Sequence, residues 1–229
     1  MSIVKSQVGW MDRDFALPSP SPVETESEEM TTTSESSEST VVDRFERSKM
    51  IKTELGKAVA KFNFKPKKGI KYLADNSYLT MDNHKEIAVF LKTTEGLNKT
   101  MIGDYLGEDE KLNLKVMYDF VDLHEFAGMA FVDALRHFLS SFRLPGESQK
   151  IDRMMEKFAE KFVADNPEIF ECADAAYVLA FSIIMLHTDM YNPQVKKKMS
   201  FEDFSRINRG INNGSDLDPE FLLNAYTNI

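Results

Sequence analysis

Residues 174–190 read DAAYVLAFSIIMLHTDM, the most apolar long stretch of the helical part of the chain. From Ala175 to Leu186 it is interrupted only by Ser182, so a helix here is apolar on every side and is predicted to run through the centre of a globular domain. The run is shorter than the roughly 18 apolar residues that a membrane span requires. We therefore expect a buried helix and no transmembrane segment.

The sequence on both sides of this helix also has helical periodicity, and from Asp43 onward no alternating strand pattern of useful length occurs. Two neighbouring segments, 129–142 and 147–163, carry strong apolar faces. The other predicted helices cover 43–62, 67–74, 85–91, 99–106, 112–121, 201–208 and the residues from 218 onward. The fold class is therefore predicted to be all-α, with about ten helices.

Composition limits the function classes. The chain has 229 residues, 42% of them hydrophobic, which suits one globular domain, and its net charge of −9 argues against a nucleic-acid partner. Cys172 is the only cysteine, so no internal disulfide can form. Residues 1–10 lack the pattern of a secretory signal, and we expect a cytoplasmic protein.

The N-terminal residues differ from the rest of the chain. Residues 18–40 contain three prolines, six glutamates, many Ser and Thr, and no basic residue, so they cannot bury enough apolar surface to order themselves. We expect residues 1–42 to be a disordered extension and residues 43–229 to form the domain. The extension is interpreted as a linker or, alternatively, as a phosphorylated docking or autoinhibitory segment.

A tight turn precedes the helix predicted for 147–163. Arg143-Leu144-Pro145-Gly146-Glu147 joins two helices, and Pro followed by Gly fixes the turn, so Glu147 projects at a helix start. An acid in a first turn commonly serves only to complement the helix dipole. A functional carboxylate is the alternative, and these residues alone leave both interpretations open.

Two further groups of side chains have both a structural and a functional interpretation. Tyr177, Phe181, Ile184 and Met185 lie on one helical face, which is either core or the wall of a partner-binding groove. The turn at 187–193, HTDMYNP, is either a local cap or part of a site. The lysines near 65–71 and 196–198 are either solvated faces or weak contacts with acidic lipid.

No catalytic or metal motif is present. The four histidines, His84, His124, His137 and His187, lack the spacing of metal ligands, so we predict no metal site. No nucleophile motif, phosphate-binding loop or dinucleotide fingerprint occurs. Composition and periodicity alone lead only to an all-helical interaction domain.

Three stretches resemble the Sec-seven domain family. FRLPGESQKIDR (142–153) is similar to the family's glutamate-finger motif, DAAYVLAFSIIMLHTDMYNPQVKKKM (174–199) to its second motif, and NRGINNGSDLDPEFL (208–222) to its C-terminal part. FNFKPKKGIKYL and GLNKTMIGDYLGE resemble the early helices. Within the family, the sequences of these stretches are most similar to those of the large brefeldin-sensitive Golgi exchange factors. His187 stands where the family usually has Asn, and Met190-Tyr191 where it usually has Leu-His.

The resemblance implies an elongated superhelical array of helices with a hydrophobic groove, and the activity of a guanine-nucleotide exchange factor for Arf-type small GTPases. Glu147 matches the inserted glutamate. The groove and approach residues are Tyr177, Phe181, Ile184, Met185, Asp152 and Asn192. The domain itself would use no cofactor, because GDP, GTP and Mg²⁺ belong to the GTPase. Its parent would act in vesicle trafficking as a peripheral protein of Golgi membranes, with weak membrane contact by this domain.

Brefeldin A is a further partner that the resemblance implies. The residues matching its binding site are Phe181, Ser182, Met185, Asp189 and Met199. Phe181 departs from the sensitive pattern, which usually has Tyr at this position. The alternatives are a helical scaffold that binds a partner without exchange, and a carboxylate hydrolase using Glu147 and Asp152. The hydrolase is disfavoured because these acids lie five residues apart near one helix start and no second acid faces them by spacing.

Overall fold

The computed structural model describes the backbone of residues 35–229 and the side chains of Glu46 and of Ser48 onward. Residues 1–34, most of the predicted extension, lie outside the described residues, and the boundary at 42 stays a prediction. The described chain forms ten α-helices, with no β-structure except an isolated bridge between Asn212 and Ser215. The helices are α1 (Glu35–Phe64), α2 (Pro66–Asp75), α3 (His84–Thr93), α4 (Lys99–Gly107), α5 (Lys111–Asp122), α6 (Phe131–Ser140), α7 (Ser148–Asp165), α8 (Ala173–Tyr191), α9 (Phe201–Ile207) and α10 (Pro219–Thr227).

The all-α prediction is confirmed, and most helix ends lie within two residues of the predicted ones. The exception is α1, which begins at Glu35 and not at Asp43. The polar composition of residues 35–42 does not exclude a helical backbone, because no proline or glycine interrupts the stretch between Glu35 and Gly56.

The described chain divides into two compact units, the first ending at Met81 and the second running from Asp82 to Ile229. In the first, α1 ends just before Lys65, because the residue that precedes a proline avoids the helical conformation. Helices α1 and α2 approach closely at Gly69, where a Cβ atom would lie 2.5 Å from the Cβ of Phe62. The buried side chains of this unit are Ala58, Phe62, Ile70, Leu73 and Leu79.

The core of the second unit is built on phenylalanine. Helices α5, α6 and α7 and the loop between α5 and α6 supply fully buried rings, which pack mostly edge to face, as for Phe131 and Phe162 at 4.9 Å and for Phe126 and Phe158 at 5.2 Å between ring centroids. Such pairs are worth about 0.5–1.5 kcal/mol beyond the burial of their area. The fully buried rings of this cluster are Phe120, Phe126, Phe131, Phe138, Phe158 and Phe162.

A buried amide fixes the loop between α5 and α6 to the end of α7. Asn166 donates to the carbonyl oxygens of Phe126 (3.0 Å) and Phe162 (3.1 Å), and its own side-chain oxygen accepts from the backbone N–H of Gly128 at 2.8 Å. Its polar atoms are therefore satisfied in the interior, where an unpaired amide would be costly.

Helix α8 corrects one expectation from the sequence. Its buried side chains lie on one side only, whereas Val178 and Met185 on the other side are exposed. The helix therefore does not run through the centre surrounded by protein, because its apolar surface is wider than the surface that neighbouring helices cover. By length and composition α8 could also cross a membrane. It packs on α7, α9 and α10 as the core helix of a globular unit, which is the sounder interpretation of a single such helix.

Candidate functional site

The turn before α7 is held by α4. The backbone N–H of Arg143 donates to the carbonyl oxygen of Lys99 at 3.0 Å. The carbonyl oxygen of Arg143 lies against Gly103, so close that a Cβ atom on this glycine would come within 1.8 Å of it. Pro145 is buried, and the chain then emerges at the exposed residues Gly146 and Glu147. The turn is thus anchored at one end and presents Glu147 at the other.

Glu147 occupies the N-cap position of α7, and its side chain makes no capping hydrogen bond. Its backbone carbonyl accepts from the N–H groups of Lys150 (3.0 Å) and Ile151 (3.2 Å). Its carboxylate is 71% exposed. The backbone of Glu147 therefore starts the helix, while the carboxylate remains at the surface and is available to a partner.

Lys150 is the main neighbour of this carboxylate. Its Nζ lies 3.1 Å from Glu147 Oε1 and 3.2 Å from Glu108 Oε1, and its aliphatic chain packs where Gly107 has no side chain. The hydrogen bonds to Glu147 and then to Glu108 raise the pKa of Lys150 above its usual value. The sequence analysis gave Lys150 and Glu108 no role. The Glu147–Lys150 pair could have been predicted, because the two residues are three apart at a helix start. The Lys150–Glu108 pair could not, because tertiary packing brings Glu108 to this place.

The predicted groove residues form an exposed apolar stripe on α8. The rings of Tyr177 and Phe181 meet edge to face at 5.0 Å between centroids, Phe181 and Ile184 are partly exposed, and Met185 is 50% exposed. Val178, which the sequence analysis did not select, is exposed beside them. Of the two interpretations of this face, a buried core is therefore wrong, and a surface available to a partner agrees with the structure.

A hydrogen bond connects the stripe to the helix that begins at Glu147. The hydroxyl of Tyr177 donates to Asp152 Oδ1 at 3.4 Å. Burial, and next the negative charge of Asp152, raise the pKa of Tyr177 above its usual value. Asp152 lies five residues after Glu147, a rise of about 7.5 Å along a helix. The Tyr177–Asp152 hydrogen bond therefore joins the stripe to the second turn of the helix that begins after Glu147.

An open recess with a volume of about 220 Å³ lies between α7 and α8. Tyr177 forms part of its wall, and the other lining side chains are mainly acidic. Its negative charge favours a basic group on whatever covers it. The lining residues are Asp152, Glu156, Glu160, Ala173, Asp174 and Tyr177.

The C-terminal end of α8 is tied to the following segment. Lys198 Nζ donates to the carbonyl oxygens of Asp189 (2.6 Å) and Asn192 (2.7 Å), and Asp189 Oδ2 accepts from the backbone N–H of Met199 at 2.7 Å. Lys198 is exposed, as a solvated lysine run predicts, and its ammonium group also satisfies carbonyl oxygens at the end of α8. Asn192 Oδ1 accepts from the N–H of Gln194 at 2.9 Å, so this side chain also has the local turn role that the sequence left open.

The remaining predicted residues of the inhibitor site differ in exposure. Ser182 is 5% exposed and points into the domain, so in this structure it does not line the surface, whereas Asp189 and Met199 are partly exposed. His187 and Tyr191, two of the departures from the family pattern, pack on each other with ring centroids 4.7 Å apart. Within the described residues no group of three or more His, Cys, Asp or Glu side chains is placed to hold a metal ion.

The family model of the Sec7 domain matches residues 51–229. Among curated proteins, brefeldin A-inhibited guanine nucleotide-exchange protein 2 of Arabidopsis thaliana is 54% identical over 184 residues, which are 80% of this chain and 10% of that protein. Human cytohesin-2 is 56% identical over 169 residues, 74% of this chain and 42% of that protein. The chain thus spans about a tenth of the length of the brefeldin A-inhibited relative, and such relatives confirm the resemblance that the sequence predicted.

Two solved structures are similar to about three quarters or more of the chain. The crystal structure of the Sec7p catalytic domain superposes with a TM-score of 0.73 at 51% identity, covering 76% of this chain and 92% of that one. A structure of ARF1-GDP bound to a Sec7 domain complexed with brefeldin A has a TM-score of 0.72 at 41% identity, covering 80% of this chain and 93% of that one.

Proposed function

The chain belongs to the Sec7 domain family, and from this membership we propose that it is a guanine-nucleotide exchange factor that promotes GDP release and GTP loading on an Arf-type small GTPase. Two observations carry the proposal. The carboxylate of Glu147 is exposed and makes no capping hydrogen bond, and the apolar stripe on α8 is partly exposed. The similarity to brefeldin A-inhibited exchange proteins, and to a Sec7 domain that was solved with ARF1-GDP, supports it.

The proposed chemistry of Glu147 is electrostatic. GTPases of this class hold the nucleotide phosphates with a phosphate-loop lysine and Mg²⁺. A carboxylate inserted at this place repels the β-phosphate, competes for the lysine and disfavours Mg²⁺. No bond is made or broken, so the protein is a catalyst of dissociation and uses no cofactor of its own.

The resting contacts of Glu147 suit such a movement. The ion pair with Lys150 is exposed on the Glu147 side, and exposed pairs are worth about 0–1 kcal/mol, so the carboxylate leaves Lys150 at little cost. A lysine in the partner can then replace Lys150 as the counter-ion. Lys150 remains paired with Glu108 and is not left as an isolated charge.

The stripe supplies the binding energy in this proposal. Tyr177, Phe181, Ile184 and Met185 would cover apolar switch segments of the GTPase, and burial of about 25 cal/mol per Å² offsets the cost of placing a charge in an occupied anion site. Asp152 and Asn192 would fix the approach by hydrogen bonds, and the acidic recess favours a basic side chain.

The finer assignments follow from the kind of relatives found. We propose that the parent protein acts in vesicle-mediated transport as a peripheral protein on the cytoplasmic side of Golgi membranes. Brefeldin A is proposed to bind beside Phe181, Met185, Asp189 and Met199, the exposed or partly exposed members of the predicted inhibitor site. Ser182 would contribute only if α8 shifts, because it is buried.

Release of labelled GDP from a panel of purified Arf proteins tests the exchange activity. We expect the chain to accelerate release, and Met185→Asp to weaken it by about tenfold or more through the loss of apolar contact. Leu223→Asp is the matched control, because Leu223 on α10 is 45% exposed, close to the 50% of Met185, and lies outside the stripe. Binding without acceleration would instead identify a scaffold.

A further inference from the structure

A second surface, in the first unit, is unexplained by exchange. Phe64 is the last residue of α1, and its ring is 78% exposed although the chain turns immediately afterwards into α2. The preceding aromatic residue, Phe62, is fully buried and packs against Gly69. The two rings therefore face opposite ways at the corner between the helices, and only Phe62 contributes to the core.

Lysines flank Phe64 in the sequence, and one of them lies close to its ring. Between Lys61 and Lys71 the sequence contains five lysines and no Asp or Glu, in a chain whose net charge is −9. All five lysines are exposed, and Lys68 Nζ lies 5.3 Å from the centroid of the Phe64 ring. Lys71 is paired with Asp75 at 2.9 Å, and Lys61 Nζ lies 4.9 Å from the centroid of the Tyr72 ring. The lysines of this stretch before Lys71 are Lys61, Lys65, Lys67 and Lys68. We call Phe64 and these four lysines the basic corner.

We propose that the basic corner is a docking surface for a bilayer that contains anionic phospholipids. An exposed aromatic side chain in a stretch of exposed lysines has the two parts that interfacial anchors combine: an apolar group that enters the acyl boundary and cations that meet the headgroups. Long lysine side chains can keep their charged ends at the headgroup level while the stems follow the ring inward.

The charge distribution favours an anionic bilayer over a basic or neutral partner. The basic corner is positively charged, whereas the chain as a whole has a net charge of −9. A negatively charged bilayer therefore attracts the basic corner and repels the acidic remainder of the surface, which orients the molecule. The proposal concerns the first unit alone and does not depend on the exchange activity proposed for the second.

Co-sedimentation of the chain with phosphatidylcholine vesicles, with and without phosphatidylserine, tests the proposal. We expect binding only when phosphatidylserine is present. Lys67→Gln/Lys68→Gln should weaken it by about 25-fold, fivefold for each lysine, and Phe64→Ser by about tenfold. The matched control is Lys196→Gln/Lys197→Gln, which removes the same charge from an exposed lysine pair elsewhere and should change binding less than twofold.

The depth of the ring distinguishes a membrane anchor from a general attraction of charge. Phe64→Trp, made with Trp10→Phe so that the new indole is the only one, should shift its fluorescence to the blue on vesicles and be quenched by brominated acyl chains. Equal binding to neutral vesicles, an equal loss in the matched control, or an indole that stays in water would each overturn the proposal. Failure to bind vesicles combined with capture of an acidic protein would also overturn it, in favour of a protein partner.

Discussion

The carboxylate of Glu147 makes no capping hydrogen bond to its own helix. A side chain that accepts a capping hydrogen bond would have to break it before entering a partner, at a cost of about 1 kcal/mol. Here the backbone carbonyl starts the helix, and only the exposed pair with Lys150 holds the carboxylate. The turn residues Pro145 and Gly146 could be interpreted from sequence because their chemistry is local. The Lys150–Glu108 pair could not, because Glu108 comes from another helix end.

The residue at position 181 should set the response to brefeldin A. We expect partial inhibition of GDP release by the drug, because Phe181 lacks the hydroxyl of the usual tyrosine, a hydrogen bond worth about 0.5–1.5 kcal/mol. Phe181→Tyr should therefore lower the inhibitory concentration by roughly three- to tenfold. The measurement is the GDP-release rate at rising drug concentration for both proteins. No inhibition of either protein at saturating drug would contradict the proposed inhibitor site.

Among the elements, α4 and the turn at 143–147 depend on one glycine. The sequence predicted α4 at 99–106, one residue short of its observed end, because the pattern that indicates a helix is local. It did not predict that the carbonyl oxygen of Arg143 would lie against Gly103, because this contact joins segments forty residues apart. The same limit applies to α8: its apolar composition was plain, but which side its neighbours leave uncovered was not.

Gly103→Ala should destabilise the second unit by about 3 kcal/mol, because its Cβ would be 1.8 Å from a backbone oxygen that cannot move without displacing the turn. Gly146→Ala is the control: no atom lies within 4 Å of its Cβ position and its φ is not positive, so we expect a change of about 0.5 kcal/mol or less, or a small stabilisation. Urea unfolding measures both. Similar stabilities for wild type and Gly103→Ala would show that the approach is looser than described.

The phenylalanine core of the second unit encloses the imidazole of His124. His124 is 1% exposed; its Nδ1 lies 2.9 Å from the carbonyl oxygen of Phe120, and its Nε2 3.0 Å from Ser141 Oγ. Burial, and next the charge of Lys92, lower the pKa of His124 to about 3. The sequence predicted only that the histidines do not form a metal site. Where each one lies depends on the packed core.

This burial gives a pH dependence of stability with a definite sign. In the unfolded chain the imidazole takes up a proton below about pH 6.5, whereas in the folded protein it stays neutral down to about pH 3. The free energy of unfolding should therefore fall as the pH drops below about 6.5, with a slope approaching 1.4 kcal/mol per pH unit from this group. Urea unfolding of wild type and His124→Gln between about pH 7 and pH 5 measures it. Equal slopes in the two proteins would show that His124 is not the group responsible.

The release of labelled GDP from an Arf protein in the presence of Glu147→Lys tests whether the charge of Glu147 drives nucleotide release. We predict a loss of rate of at least about a hundredfold, the effect of removing one electrostatic contact that acts in the transition state, with an unchanged helical spectrum because the side chain is exposed. Glu125→Lys, the same charge reversal at another exposed position, should keep the wild-type rate. A Glu147→Lys protein that releases GDP as fast as wild type would show that the charge of Glu147 does not drive nucleotide release.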